Sequence, residues 1–386
     1  MRQQCGACVH TGMQTRSRRD APKRASRACR RAESVRPPTC WRRPLLPCRR
    51  HCRRHRNASA LFDRKELLLM QERLSGFMTE RLVARHDWVA VTVLLAIGFV
   101  TGSFVDYDLS LALYDPANLY GQVFAMYGML PLAMTFAMAG ALYFRCIDRT
   151  LGGARVALLA AMGVIMNVGA LYACAHEPVL ESADPQWAAF LVHVVAAAVT
   201  DLVVLRAVRG ASRSAILRYA CLCTFVLALE ILLVNVILKN LWGRPRMRMI
   251  SVTPDAAFQP WWVVGSDMKQ ALMAAGIDKE EFRSFPSGHS ASAACAMLFA
   301  ALPAVKSRWL ARRELFFWIP AAFMLVVCFS RIFAGAHFLT DVCAGAGITF
   351  GSFMLGVWLF YRNQVSAGQR VPEERPRGAH ARPSRG

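Results

Sequence analysis

The sequence predicts an all-α fold, a polytopic membrane helix bundle of about eight transmembrane helices, and three observations carry that expectation. The 386 residues are 55% hydrophobic and the mean hydropathy is positive. From residue 88 onward, apolar runs alternate with short polar breaks, and the runs have the length of about 20 residues that a helix needs to cross a bilayer. Lys and Arg gather in alternate breaks, the pattern that the positive-inside rule produces.

Ahead of the first run lies a segment of different character. The chain carries a net charge of +22, which by itself suggests a nucleic-acid partner. Residues 1–56, however, contain 17 Lys/Arg against only Asp20 and Glu33, so about two thirds of the surplus belongs to this segment. It also holds Cys5, Cys8, Cys29, Cys40, Cys48 and Cys52 among Arg, Pro and Ser, with no apolar periodicity. Such a composition cannot bury enough apolar surface to offset chain entropy, so residues 1–80 are expected to be a disordered basic tail. Cys48, His51, Cys52 and His55 lack the second spaced pair of a zinc knuckle. Clustered arginine can attract RNA phosphate without a fold, but the preferred reading is a translation start at Met70 or Met78. No nucleic-acid partner is expected. A signal peptide is not indicated either, since the segment has no short apolar core beside a small-residue cleavage site.

The expected spans are 88–105, 122–144, 156–175, 187–205, 219–239, 288–305, 315–331 and 338–361. Pro131 and Pro320 would kink theirs, which neighbouring helices can accommodate. The breaks at 145–155, 206–218 and 306–314 hold three, four and four Lys/Arg. Those at 106–120 and 176–186 hold none, only Asp106, Asp108, Asp115, Glu177, Glu181 and Asp184. The first set is therefore expected in the cytoplasm, together with both termini, in a multi-pass plasma (inner) membrane. The cysteines of the body read as small apolar packing residues.

Three polar fragments then fall on the opposite, extracytoplasmic side: KNLWGRPRM at 239–247, FPSGHS at 285–290 and SRIFAGAHFLTD at 330–341. The long break 240–287 departs from the charge rule with Arg244, Arg246, Arg248 and Arg283. An anionic substrate explains these cations, pairing with lipid headgroups being the alternative. Trp261 and Trp262 fit an interfacial belt. A phosphoryl group in transfer spreads charge over its oxygens, so its catalysis is mostly positioning and charge neutralisation. Lys239, Arg246 and Arg331 can supply that. Ser287 adds a hydroxyl donor, Gly288 permits close approach, and His289 follows directly. His337 and Asp341 are four residues apart and are expected on one helix face. There Asp341 would accept from Nδ1–H and leave Nε2 free as a nucleophile. His193, Asp201 and Glu230 are ionisable groups inside apolar runs. For Asp201 solvation at the cytoplasmic end is expected, and for Glu230 a hydrogen bond between helices.

The three fragments together resemble the signature of the type 2 phosphatidic acid phosphatase superfamily: Lys, six residues, Arg-Pro; Pro-Ser-Gly-His; and Ser-Arg, five residues, His, three residues, Asp. Lys239 and Arg246, Pro286 to His289, and Ser330, Arg331, His337 and Asp341 fit these spacings, with Met247 standing where the pattern has proline. The resemblance implies that His337 attacks phosphorus and becomes a phosphohistidine, that Asp341 orients it, and that His289 protonates the leaving oxygen and later activates water. Lys239, Arg246, Ser287, Gly288 and Arg331 would hold the phosphate, with no metal and no cofactor. It also implies a phosphatase core over 211–361; the accessory membrane helices expected over 88–210 depart from that family core, and residues 362–386 are expected to be a disordered tail because they are basic and Pro-rich. The substrate implied is a phosphorylated lipid: phosphatidic acid, phosphatidylglycerol phosphate, an isoprenyl diphosphate or lipid A. A lipid phosphotransferase could use the same residues. A vanadate-dependent peroxidase or a non-catalytic transporter are the other classes, the last requiring the whole set to be decorative.

Overall fold

A computed structural model of the chain describes residues 82–362, without Arg149 and Ser266. The expected N-terminal tail, its cysteines, the start at Met70 or Met78 and the residues after 362 lie outside the described part. Among the described residues there is no strand, and seven helices are long and apolar enough to cross a membrane. The chain is a multi-pass membrane bundle with an all-α fold.

The first helix, α1 (Arg85–Leu113), is longer than expected because its polar end, through Asp106, continues the helix. Next come α2 (Leu119–Tyr127), capped where the Asn118 side chain accepts from the Gly121 N–H, and α3 (Leu130–Arg145). Pro131 sits in the first turn of α3, where its missing N–H has no partner to lose. It therefore opens a helix after the break at Gly128 and Met129 rather than kinking one. The accessory set is completed by α4 (Gly153–Ala175), which ends in a π-helical turn (His176–Leu180), and α5 (Trp187–Ala207). The helix α6 (Arg213–Leu229) starts at Ser212, whose hydroxyl accepts from the Ala215 N–H, and runs on through a π stretch (Glu230–Leu238) to Lys239–Trp242.

The sixth expected span is α7 (Gly288–Ala294), which tightens into a 3₁₀ helix (Cys295–Ala304). Seventeen residues of pure α-helix would fall short of the bilayer. At about 1.5 Å per α and 2.0 Å per 3₁₀ residue, this segment rises roughly 30 Å. Gly, Ser, Ala and Cys along its length let α3, α6, α8 (Arg313–Phe333) and α9 (Leu339–Tyr361) close around it, as small residues do between membrane helices. It is buried along nearly its whole length. One continuous apolar core includes residues of α3, α4 and α5 as well as α6 to α9. Pro320 lies inside α8. Outward-facing apolar side chains such as Phe104, Val168 and Val195 are exposed, as a lipid-facing surface requires.

The two ends of the bundle differ chemically. At one end Arg213 pairs with Asp148, and the Lys306 ammonium donates to the carbonyls of Ala207 (2.9 Å) and Arg209 (2.8 Å). These contacts tie the three basic breaks together. The three motif fragments meet Asp106 and Glu177, from the acid-only breaks, at the other end. All seven cysteines among the described residues are free, six of them buried and Cys221 half-buried. The Glu230 carboxylate is fully buried and accepts from Asn235 Nδ2 (3.0 Å) and, across to α7, from the Ser292 hydroxyl (3.5 Å), the helix-to-helix bond expected. Asp201 is half-buried, and its Oδ1 is buried with no hydrogen-bond partner among the described residues. His193 is buried, with Nδ1 2.8 Å from the Ala189 carbonyl oxygen and its ring stacked on Tyr127.

Candidate active site

The stretch that continues α6 delivers Lys239, the N-cap of α7 is Ser287, and the first turn of α7 delivers Gly288 and His289. Gly288 brings bare backbone against the tip of Lys239. A Cβ on it would lie 2.6 Å from the Lys239 ammonium nitrogen and 3.2 Å from Asn235 Oδ1, so its bare backbone lets the lysine cross the FPSGHS segment. The buried Ser287 caps α7, its hydroxyl accepting from the Ser290 N–H (3.3 Å) and hydroxyl (3.0 Å). Its own N–H donates to the Asp341 carbonyl oxygen (3.0 Å). Gly345, one turn further along α9, lies so near that a Cβ would come 2.2 Å from the Ser287 carbonyl oxygen. The second and third motifs are thus held together by backbone contact.

His337 does not lie on α9. The helix begins at Leu339 with Phe338 as its N-cap, so the i, i+4 rule for two helical residues does not govern His337 and Asp341. Asp341 turns back instead and accepts from the Phe338 N–H (2.8 Å), the carboxylate half of a capping box. Its Oδ2 also accepts from the Ser284 hydroxyl (2.5 Å) and its Oδ1 from Arg244 Nη1 (2.5 Å). Oδ2 lies 4.0 Å from His337 Nδ1, beyond hydrogen-bond reach. The expected Asp341–His337 hydrogen bond is therefore replaced. Nδ1 lies 2.7 Å from the Ser284 carbonyl oxygen. A carbonyl only accepts, so Nδ1 carries the hydrogen and Nε2 keeps its lone pair, the tautomer that Asp341 was expected to impose. Asp341 acts one step back, by fixing Ser284.

Positive charge surrounds that imidazole. Burial first, and then the charges of Arg246, Lys239 and Arg331, hold the His337 pKa well below the ordinary histidine value. Arg331 is buried, with Nη1 donating to the Gly121 carbonyl oxygen at 3.4 Å. Among the described residues Arg246 meets one distant carboxylate, Glu280 at 3.9 Å, and in both arginines Nε is buried with no hydrogen-bond partner. A buried donor left unpaired costs about 1–3 kcal/mol, and phosphate oxygens would satisfy these.

The other cations of the long break have protein partners. Arg244 is fully buried, bonded to Asp106 (2.9 Å), Asp341 (2.5 Å), Thr340 Oγ1 (2.9 Å) and the Gln259 carbonyl oxygen (2.7 Å), with Phe338 against its guanidinium. Arg248 forks onto Glu281, and Arg283 meets Glu280 at 2.5 Å. The expectation that all four answer to an anionic substrate is corrected for Arg244 and Arg248, whose charges the fold itself uses. Trp261 is half-buried, its indole donating to the Ser103 hydroxyl (2.9 Å) and its ring stacked on Phe285. Trp262 is exposed.

Lys239, Gly288 and His289 line a cleft of about 530 Å³. Arg283, Asn235, His176, Glu177 and Glu280 complete its polar end, and Leu132, Phe136, Val168, Tyr172 and Ile231 form an apolar wall. His337 and Arg331 are not among the groups lining it. Three participants were not singled out from sequence as site residues: Ser284, Asp106 and Glu177. Ser284 stands two residues before Pro286, and Asp106 and Glu177 are acids at the ends of apolar runs, which is the only signal they gave.

Residues 218–365 match the model of the PAP2 superfamily. Phosphatidylglycerophosphatase B of Bacillus subtilis (strain 168) is 40% identical over 80 residues, which are 20% of this chain. The chain spans about a third (36%) of the length of that relative. No solved structure matches.

Proposed function

We propose that this chain, whose residues 218–365 match the model of the PAP2 superfamily, is an integral-membrane phosphatase that hydrolyses a lipid phosphate through a phosphohistidine at His337. The observation that carries the reading is the pair of buried guanidinium Nε groups, on Arg246 and Arg331, that lack partners near an imidazole whose Nε2 is free. Three cations can neutralise the equatorial oxygens. In this reading Lys239, Arg246 and Arg331 hold the phosphate, with Ser287 and Gly288 shaping the seat. His337 Nε2 attacks phosphorus, Ser284 and Asp341 keep that nitrogen unprotonated and aimed, and His289 gives the leaving oxygen its proton.

The cleft supports a lipid. Its polar end would take the headgroup while Leu132, Phe136, Val168 and Ile231 line a path for a hydrocarbon chain. Phosphatidylglycerol phosphate is the first lipid to test, on the name of the relative. The absence of Lys and Arg from the breaks beside the motifs supports an extracytoplasmic face for the chemistry.

Phosphate release by the purified protein from phosphatidylglycerol phosphate, phosphatidic acid, an isoprenyl diphosphate and glucose 6-phosphate tests it, each with and without EDTA. Release from at least one lipid is expected, unchanged by EDTA and abolished in His337→Ala. Equal release by His337→Ala would overturn the reading. The face is tested separately by labelling Ala117→Cys and Ser212→Cys in intact cells with an impermeant reagent. Both positions are exposed. Labelling at 117 alone is expected, and labelling at 212 alone would reverse the orientation.

A further inference from the structure

His289 has a carboxylate beside it that comes from outside the family-matched segment. Glu177 sits on the π-helical turn that ends α4, and its Oε1 lies 3.6 Å from His289 Nε2. The same nitrogen lies 3.0 Å from the Ala125 carbonyl oxygen. Both neighbours are acceptors, so Nε2 carries a hydrogen. No described residue hydrogen-bonds Nδ1 of His289. Glu177 is mostly buried, its side chain 21% exposed, and lines the same cleft as Lys239 and His289.

Resting on the phosphatase reading, we propose that Glu177 is the positioning residue of His289: with the Ala125 carbonyl it holds Nε2–H, so that Nδ1 is the nitrogen that exchanges the proton with substrate. A general acid must be an imidazolium before the leaving group departs, and burial first, then Arg331 and Lys239, oppose a further positive charge there. Glu177 supplies the offsetting negative charge. Other ionisable groups nearby are His176, 3.4 Å from Glu177 through Nδ1, Glu181, which lies 3.8 Å from His176, Glu280 and Arg283 in the same cleft, and His337.

The steps balance as follows. The His337 Nε2 lone pair forms the N–P bond as the ester P–O bond breaks, and the departing oxygen takes the bonding pair together with the Nδ1 proton of His289. His289 is then neutral, still tethered through Nε2–H. Water next attacks phosphorus while Nδ1 takes one of its protons, and the N–P pair returns to His337.

The test compares two esters. An alkyl phosphate such as a short-chain phosphatidic acid needs its leaving oxygen protonated, whereas p-nitrophenyl phosphate releases a stable anion without that help. A positioned general acid is worth about 10²–10⁴-fold, and losing its partner should remove part of that. Glu177→Gln is expected to lower kcat/KM for the alkyl ester about 10- to 100-fold, and for the aryl ester at least tenfold less than that. Glu177→Asp, which keeps the charge, should recover part of the alkyl rate and serves if the glutamine variant does not fold. An equal loss on both esters, or a loss on neither, overturns the proposal. If the unsubstituted chain cleaves neither ester, the phosphatase reading fails first and this inference with it.

Discussion

Arg244→Met separates a structural cation from a substrate-binding one. The substitution keeps roughly the length of the side chain and removes a guanidinium that is fully buried between Asp106 and Asp341, at 2.9 and 2.5 Å. Two unit charges about 4 Å apart attract by roughly 4 kcal/mol at an effective dielectric of 20. Desolvation of the three groups offsets much of that. The measured consequence of removing one partner from a buried pair is about 3–5 kcal/mol. Here two carboxylates lose the same cation and the Gln259 carbonyl loses a donor, so the upper end of that range is expected. In a helical protein this size, such a loss lowers Tm by on the order of 10 °C.

Thermal unfolding in detergent at one scan rate reads that loss. Activity should fall through kcat, because Asp341 would let go of Ser284 and the Ser284 carbonyl of His337. Adding Asp106→Asn removes one of the stranded charges and should recover about 1–2 kcal/mol, a coupling that a double-mutant cycle measures directly. If Arg244→Met keeps Tm within about 2 °C of the parent and raises only KM, the reasoning is refuted and Arg244 binds substrate.

The remaining predictions concern close packing and charge. Gly345→Ala would drive a Cβ to 2.2 Å from the Ser287 carbonyl oxygen. Backbone cannot yield cheaply, so a loss of about 1–3 kcal/mol or more in stability should accompany a loss of phosphate release; a variant with parental Tm and rate would contradict the contact. Gly288→Ala meets instead the flexible tip of Lys239. The lysine should move away, with kcat/KM falling roughly 10- to 100-fold, the value of a charge-assisted hydrogen bond, at nearly unchanged Tm. His337 has a lowered pKa, so below about pH 6.5 the unfolded chain binds a proton that the folded, ligand-free chain does not. Stability due to this group is full above that pH and declines as pH falls, by roughly 1 kcal/mol between pH 6.5 and 5.5. Tm measured against pH should therefore decline less steeply in His337→Gln, and parallel curves would count against a neutral buried His337.

Much of the fold was legible because a membrane helix writes its length and polarity directly into the chain. All seven long helices were anticipated as apolar runs. The exception was informative: 288–305 is short for a span by α geometry, and its Gly, Ser and Ala content signalled a helix enclosed by others, but the 3₁₀ tightening that lengthens it depends on packing. Pro131 misled because composition does not show whether a proline opens a helix or interrupts one.

The site divides the same way. Residue type and spacing within the three motifs sufficed to nominate Lys239, Arg246, Ser287, Gly288, His289, Arg331, His337 and Asp341, since phosphate chemistry needs cations and imidazoles and these motifs are short. Which atom touches which was decided only by the tertiary structure. The His337–Asp341 spacing suggested a direct hydrogen bond, yet the helix starts one residue after His337 and the carboxylate is drawn to the Phe338 N–H, Ser284 and Arg244. Asp106 and Glu177 come from helices that precede the matched segment, 138 and 112 residues before Arg244 and His289. No local pattern links residues so distant. They meet because an apolar bundle leaves its buried charges few places to find a partner, and the cost of an unpaired charge favours an arrangement in which Arg244 and His289 are answered.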